Sequence, residues 1–523
     1  MPLRGENMTK KRSNVSSQLS AFSETGFKET IEFLKEEIRE LYLEDEIPWI
    51  IGYSGGKDST AVLQLIWLAV SSLPLEKLEK PIYVISTDTL VENPVVATWV
   101  TKSLTCMGEE SEKNNLPFKP NRLTPEVSDS FWVNLIGKGY PAPRPHFRWC
   151  TDRLKIKPSN KFIKDIVSKH GETIVVLGTR SAESATRAAT MAKHAEKKIR
   201  DRLTPNSTLP NSLIYSPIES WSNDDVWVFL MQTPNPWNFN NKDLLTMYQG
   251  ASEGGECPLV IDTTTPSCGD SRFGCWVCTL VDKDRSMSAM ITNDEEKEWM
   301  LPLLKFRDEL DVKNDRKFRE KNRMTGLIQF HNGNYVPGPY KQEFRELWLK
   351  KILKAQDLIQ TKGPDYVKDL ELVSIPELEE IRRIWVIDKH ELEDNLPKIY
   401  QEVLGKEYPG APLDDNLIFG EEEIEVLKSV TGEEKQLFEL VRELINVERQ
   451  YQTMSQRTGL YNALEQSFKR NLFSDKDEAV NVALERHNQK KGIPAEVEKL
   501  TPESSDFIRP VRQAQIFSDN NDN

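Results

Sequence analysis

Residues 49–61 read Trp-Ile-Ile-Gly-Tyr-Ser-Gly-Gly-Lys-Asp-Ser-Thr-Ala, and this stretch decides how the rest of the chain is read. Trp49 to Tyr53 is a short buried-strand candidate, Ser54 to Ser59 a glycine-rich turn, and an apolar helix begins near Ala61. Strand, Gly-Gly turn and helix in that order permit a nucleotide site. Glycines let backbone N–H groups approach phosphate closely, and a helix N-terminus adds partial positive charge. Lys57 supplies a full charge, and Ser54 and Ser59 supply hydroxyl donors. The loop is not a Walker A sequence, which would need glycine where Ile51 stands.

Outward from this stretch, Ile82 to Ser86 reads as a second strand, Val95 to Cys106 as helical, and Ile174 to Leu177 as a third strand running into Gly178. Glu29 to Tyr42 has helical spacing. Strands alternating with helices predict an α/β domain, a parallel sheet with helices on both faces. Beyond about residue 295 the character changes. Glu295 to Arg323, Lys341 to Gln360 and Glu433 to Arg449 read as charged amphipathic helices, which predicts a largely helical C-terminal region. The expected division is a disordered tail at 1–25, the nucleotide domain at 26–250, a cysteine-rich segment at 251–295, the helical region at 296–508 and a second tail at 509–523.

The 523 residues are 38% hydrophobic and 29% charged, enough to bury a core. The longest apolar stretches, such as Val62 to Val70 with Gln64 inside, fall short of the ~18 residues of a spanning helix. The polar, basic N-terminus lacks a signal-type apolar run. A soluble cytoplasmic chain with no membrane partner is expected. Six cysteines are too few for a disulfide framework and suit a reducing compartment. Net charge is −13, a poor start for DNA binding, yet it is unevenly spread. Residues 144–202 carry a local +9 and residues 371–450 a local −12.

Four of the cysteines, Cys257, Cys268, Cys275 and Cys278, are spaced C-x10-C-x6-C-x2-C among Gly255, Pro258, Pro266, Gly269 and Gly274. These residues break helices, so the thiolates sit on turns that can converge. One CxxC pair with two single cysteines suits a [4Fe–4S] cluster. Structural zinc, which more often uses two paired knuckles, and unrelated free thiols are the alternatives. The bulky Trp276-Val277 spacer favours ligation over dithiol exchange. Cys106 reads as a small buried hydrophobe. Cys150, between Arg148 and Arg153, is either a wall residue or a sulfur carrier.

Ser-Gly-Gly-Lys-Asp-Ser resembles the PP-loop of the ATP pyrophosphatase superfamily, and more closely that of its phosphoadenosine-phosphosulfate (PAPS) reductase branch. Further segments match in the same order. These are Ser86-Thr87-Asp88-Thr89; Arg148-Trp149-Cys150-Thr151 with Lys155 and Lys157; Gly178-Thr179-Arg180-Ser181-Ala182-Glu183-Ser184 with Arg187; and Pro217-Ile218 with Trp221 and Asp225-Val226-Trp227. The resemblance implies ATP cleaved between its α and β phosphates. Ser54, Gly55, Gly56, Lys57, Asp58 and Ser59 would hold pyrophosphate, Asp58 near Mg²⁺, with Lys57 and Asp58 catalytic. It places Asp88 on the nucleotide side, and Arg180, Glu183 and Arg187 among the cofactor-binding residues. The two arginines suit anionic oxygens through a planar fork, with Glu183 to orient one of them; a solvated helix start is the alternative. Trp221, Val226 and Trp227 read as core.

A PP-loop, a cysteine cluster after it and a long helical extension together resemble the ATP-pyrophosphatase family of bacterial DNA phosphorothioation. That resemblance implies a sulfurtransferase replacing a nonbridging phosphate oxygen of DNA by sulfur. The basic segment 144–202 would meet the DNA backbone. Implied partners are a cysteine desulfurase of DndA or IscS type, DndD and DndE, with the acidic segment expected to dock partner subunits. The alternatives are a PAPS reductase or ATP sulfurylase small subunit of sulfate assimilation, and a tRNA thiolase. PAPS reductases carry a redox cysteine in a Glu-Cys-Gly-Leu-His motif near the C-terminus, and no cysteine follows Cys278 here.

Overall fold

Strands buried on both faces carry near-continuous apolar sequence, and the central strands do so here. In the computed structural model β1 (Trp49–Gly52), β2 (Ile82–Thr87), β3 (Phe118–Leu123), β4 (Thr173–Val176), β5 (Thr204–Pro205) and β6 (Ser212–Tyr215) form one sheet in the order β3-β2-β1-β4-β6-β5. All pairings are parallel except β5 with β6. The structure describes residues 20–183, 202–252, 273–324 and 328–471, the last with gaps at 332–333, 390, 392, 414–420, 433 and 453–456, besides isolated positions.

Alternation along the strands sorts the two faces. Trp49, Ile51, Ile82, Val84, Ile174 and Val176 join one core with α1 (Phe27–Leu43), α2 (Lys57–Val70) and α3 (Pro94–Lys113). The same core takes Trp221, Val226 and Trp227, expected as packing residues, through α5 (Asn223–Gln232) and α6 (Asn241–Gly250). Ile50, Ile85 and Val175 face the other way, onto Ile163 and Ile166 of α4 (Lys157–His170). Helices therefore cover both faces. β3 escapes a sequence reading because it contains Pro120. It is an edge strand, where a missing N–H is tolerated.

Contacts divide the chain into one unit of residues 1–318 with 339–429 and a second of 319–338 with 430–523. The first unit holds the sheet and a second core, in which Trp132, Trp149 and Trp276 pack with α7 (Arg285–Asn293), α8 (Leu301–Leu310), α9 (Gln342–Lys362), α10 (Ile375–Arg383) and α11 (Asn395–Leu404). Indole N–H groups tie residues 132–136 to this helical region: Trp132 donates to the Leu372 carbonyl at 2.6 Å, and Trp385 donates to that of Ile136 at 3.0 Å. The helix expected across 295–323 is broken. A 3₁₀ turn at Glu295–Met300 precedes α8, because Pro302 cannot donate into a continuing helix, and α8 ends at Leu310. α12 (Glu421–Thr431) spans the division between units. The second unit contains a short hairpin, β7 (Phe330–His331) with β8 (Asn334–Tyr335), and the packed pair α13 (Lys435–Gln452) and α14 (Leu460–Asn471). Among the described residues no helix is long and apolar enough to cross a membrane.

Candidate nucleotide and cysteine site

β1 is central, with β2 on one side and β4 on the other, so the strand order reverses at β1. Open α/β sheets bind ligands beyond the carboxyl ends of the strands at such a reversal, here the ends of β1 and β4. The turn after β1 fills that place. Gly55 has φ +74°, and a Cβ there would stand 2.4 Å from Val100 Cγ2, so both conformation and the approach of α3 demand glycine. The Trp99 indole donates to the Gly55 carbonyl at 3.2 Å. Gly56 caps α2 without a side chain, which leaves the first-turn amides to be met by other groups, an anion among them. Ser54 and Ser59 hydroxyls are hydrogen-bonded at 3.1 Å, and the Ser54 N–H donates to Ser59 Oγ at 3.2 Å. This cradle fits a phosphate group.

The loop after β4 packs against the start of α2. A Cβ on Gly178 would lie 2.9 Å from the Asp58 backbone carbonyl, so β4 and the start of α2 touch backbone to backbone. Two residues on, Arg180 is buried. Its Nε donates to Asp58 Oδ1 at 2.7 Å and its Nη1 to the Trp221 carbonyl at 3.2 Å. The other Asp58 oxygen lies 3.4 Å from Lys57 Nζ. Arg180 in this form is committed to holding Asp58. Asp88 follows β2 and accepts Arg122 Nη2 at 2.8 Å and the Leu90 N–H at 2.9 Å. The backbone of Glu183 closes a 3₁₀ turn, Ser181–Glu183. Arg187 lies outside the described residues.

The CxxC pair is bound to the turn after β2, at the same carboxyl end of the sheet. Glu92 and Cys275 form a β-bridge, and the Trp276 N–H donates to the Val91 carbonyl at 3.0 Å. The Cys278 N–H donates to the Cys275 carbonyl at 3.0 Å, so the two thiols share one turn. Arg307, buried on α8, donates to the carbonyls of Cys278 at 3.0 Å, Asp282 at 2.9 Å and Val281. Burial and then Glu92 push the Cys275 thiol up to about 12, against Lys155. Cys150 is raised as well, by burial and then by Cys278. Burial alone would lower Lys155, but Cys275, Glu92 and Cys150 hold it above its ordinary range.

A thiol buried this way favours a thiolate only when a cation or metal takes up its charge. Of the quartet, Cys275 is buried in this way with Lys155 as the cation beside it, and Cys278 shares its turn. Cys257 and Cys268 lie outside the described residues, and among those described no group of three or more His, Cys, Asp or Glu side chains is arranged to hold a metal ion.

Among the described residues of the basic segment, several cations are already paired. Arg153 and Lys157 meet Asp129, Lys161 meets Glu126, Lys155 meets Glu92 and Arg144 meets Asp315. Sequence reading missed Trp99, Glu92, Arg307 and Tyr248 at these sites. No local motif marks them, because each reaches its partner across at least one intervening element.

The family described as the phosphoadenosine phosphosulfate reductase domain matches residues 48–280. An uncharacterized protein of Methanocaldococcus jannaschii is 28% identical over 201 residues, 38% of this chain and 35% of that protein. The chain thus spans about a third of the length of the curated relative it matches. Among solved structures, PAPS reductase from Candida auris in a phosphate complex is 13% identical, with a TM-score of 0.25 over 40% of this chain and 89% of that one. The FMN adenylyltransferase of Candida glabrata with FAD and inorganic pyrophosphate is 13% identical, with a TM-score of 0.26 over 45% and 66%. The U34-tRNA thiolase NcsA of Methanococcus maripaludis with its [4Fe–4S] cluster is 14% identical, with a TM-score of 0.26 over 55% and 80%.

Proposed function

We propose that this chain is a DndC-type ATP pyrophosphatase and sulfurtransferase of DNA phosphorothioation. The observation that carries the reading is the uncapped Gly55-Gly56 turn at the point of strand reversal, with the CxxC turn fastened to the neighbouring β2 loop. The PAPS reductase domain match over 48–280 supports the nucleotide half.

In this reaction a nonbridging oxygen of a DNA phosphodiester attacks the α-phosphorus of ATP. The new P–O bond forms as the α–β anhydride breaks and pyrophosphate leaves. Persulfide sulfur delivered by a cysteine desulfurase then attacks the DNA phosphorus. The P–S bond forms and AMP departs with the original oxygen. A thiol reductant afterwards cleaves the S–S bond, leaving the sulfur on DNA and a disulfide behind. Lys57 and the amides around Gly55 and Gly56 stabilise the charge gathering on pyrophosphate. Mg²⁺, when bound with the nucleotide, shares that load, and Asp58 is the carboxylate at the loop that would hold it. Arg180 keeps Asp58 in place. Cys275 and Cys278, with Cys257 and Cys268, would hold the [4Fe–4S] cluster, and Cys150 stands beside that turn as a candidate sulfur carrier. DNA, DndD and DndE complete the proposed assembly.

The test is mass spectrometry of digested DNA from cells lacking the protein. Phosphorothioate dinucleotides should vanish and return with the intact chain but not with Lys57→Ala. Unchanged dinucleotides in the deletion strain would refute the reading, and sulfite release from PAPS by the purified protein would replace it with the sulfate-assimilation one.

A further inference from the structure

We infer that Tyr248 is a positioning residue of the phosphate loop whose hydroxyl stands in for a phosphate oxygen and must yield when nucleotide binds. The inference rests on the reading of this loop as a nucleotide site.

Tyr248 lies on α6, almost 200 residues from the loop in sequence, and is buried. Its Oη accepts the Lys57 backbone N–H at 3.3 Å. The same oxygen would stand 3.3 Å from a Cβ on Gly56, so the hydroxyl lies directly against the Gly56–Lys57 peptide. This is the first amide of α2, one that an anion at the helix start would take. The ring is fixed from two sides. Trp227 meets it edge-to-face at 5.2 Å and Phe273 at 4.7 Å. Lys57 Nζ sits over the ring face, 5.5 Å from its centre.

Ring and hydroxyl thus do separate jobs. The ring face steadies the Lys57 ammonium through its quadrupole. The hydroxyl satisfies the amide with a long, weak bond. Burial pushes the phenol above its ordinary range, so it stays neutral and offers only a dipole. A phosphate oxygen brings full negative charge to the same amide and makes a stronger bond. Part of the binding energy of the phosphate is spent displacing the phenol.

Calorimetry with inorganic pyrophosphate on the full chain tests this. Tyr248→Phe keeps the ring and removes the competitor. Affinity should tighten about two- to five-fold, the gain expected when one weak hydrogen bond no longer holds back the competent state. Tyr248→Leu also removes the ring under Lys57 and should lose part of that gain. Unchanged affinity in Tyr248→Phe would make the tyrosine a packing residue, and weakened affinity would make its hydroxyl a direct phosphate ligand; either overturns the inference alone. Failure of the wild-type chain to bind pyrophosphate or ATP would instead remove the nucleotide reading beneath it. Should the variants fail to fold, a wild-type crystal structure with pyrophosphate decides. Tyr248 Oη beyond about 3.5 Å from the Lys57 amide supports displacement, and Oη still on that amide refutes it.

Discussion

Gly178→Ala should damage the phosphate loop from the loop after β4, without any substitution in the phosphate loop itself. Gly178 needs no unusual φ, so the effect is steric alone. Its added Cβ would lie 2.9 Å from both C and O of Asp58 and 3.1 Å from Ser59 N. These are backbone atoms at the start of α2, and no rotamer change relieves them. The β4 loop and α2 must separate by about half an ångström, a small-to-large change in a packed site costing about 1–3 kcal/mol. Arg180 rides on the same loop and holds Asp58 at 2.7 Å, so the separation loosens that ion pair too. Misplacement on this scale at a reacting centre can cost up to about 100-fold in rate. The comparison is Gly250→Ala, at the end of α6, where an added Cβ meets nothing within 4 Å. That change should be neutral, or stabilising by about 0.5–1 kcal/mol. Urea melts read the stability and pyrophosphate release reads the rate. If Gly178→Ala matched Gly250→Ala in both, the close approach of β4 to α2 would have no part in building the site.

Lys57→Ala should abolish release of AMP and pyrophosphate while the urea midpoint stays near that of the wild type; ADP as the main product would contradict the assigned cleavage. Cys275→Ser should lose the broad absorbance near about 400 nm expected of thiolate-bound iron, and stoichiometric zinc without iron in the wild type would overturn the cluster. Asp129→Asn should destabilise the chain by about 1–2 kcal/mol at neutral pH, since it breaks the contacts to Arg153 and Lys157. The Lys157 contact, then the charges of Lys157, Arg153 and Lys138, hold the Asp129 carboxyl below its ordinary range despite burial. Its contribution is therefore complete above about pH 4 and fades as pH falls through the lower folded value. Wild type and variant should converge in acid denaturation, and a difference that persists there would exclude the ion-pair account.

The sheet was legible because its central strands are buried on both sides. WIIG, IYVIST and TIVV stand out as apolar runs, and the turns after them carry the glycines and charges. β3 was hidden by Pro120 and β5 by its two-residue length, features an edge permits and a pattern search penalises. Lys57 and the glycines were legible as a local string. The commitment of Arg180 to Asp58 was not, because it depends on how closely β4 approaches α2, and Gly178 sets that distance. Tyr248 and Arg307 were opaque for the same reason. Each sits in an ordinary amphipathic helix, and only the packing of that helix directs it toward a loop.

The local +9 of residues 144–202 overstates what that segment can offer to a DNA backbone. Arg153 and Lys157 share Asp129, Lys161 holds Glu126, Lys155 holds Glu92, Arg144 holds Asp315 and Arg180 holds Asp58. Of these anions, Asp129 and Asp315 are nearly fully buried, and removing a cation from either would leave a buried charge uncompensated. Their cations are therefore structural and cannot be lent to phosphates without cost. The exposed pairs, Lys161 with Glu126 above all, exchange partners at little expense. Among the described residues of the segment, Arg148, Lys164 and Lys169 stand outside these pairs; Arg187, Lys193, Lys197, Lys198 and Arg200 lie outside the described residues. Each cation committed in this way is one phosphate fewer that the described part of the segment can neutralise. Under the proposed function, a partner subunit would supply the phosphate contacts that these structural cations cannot.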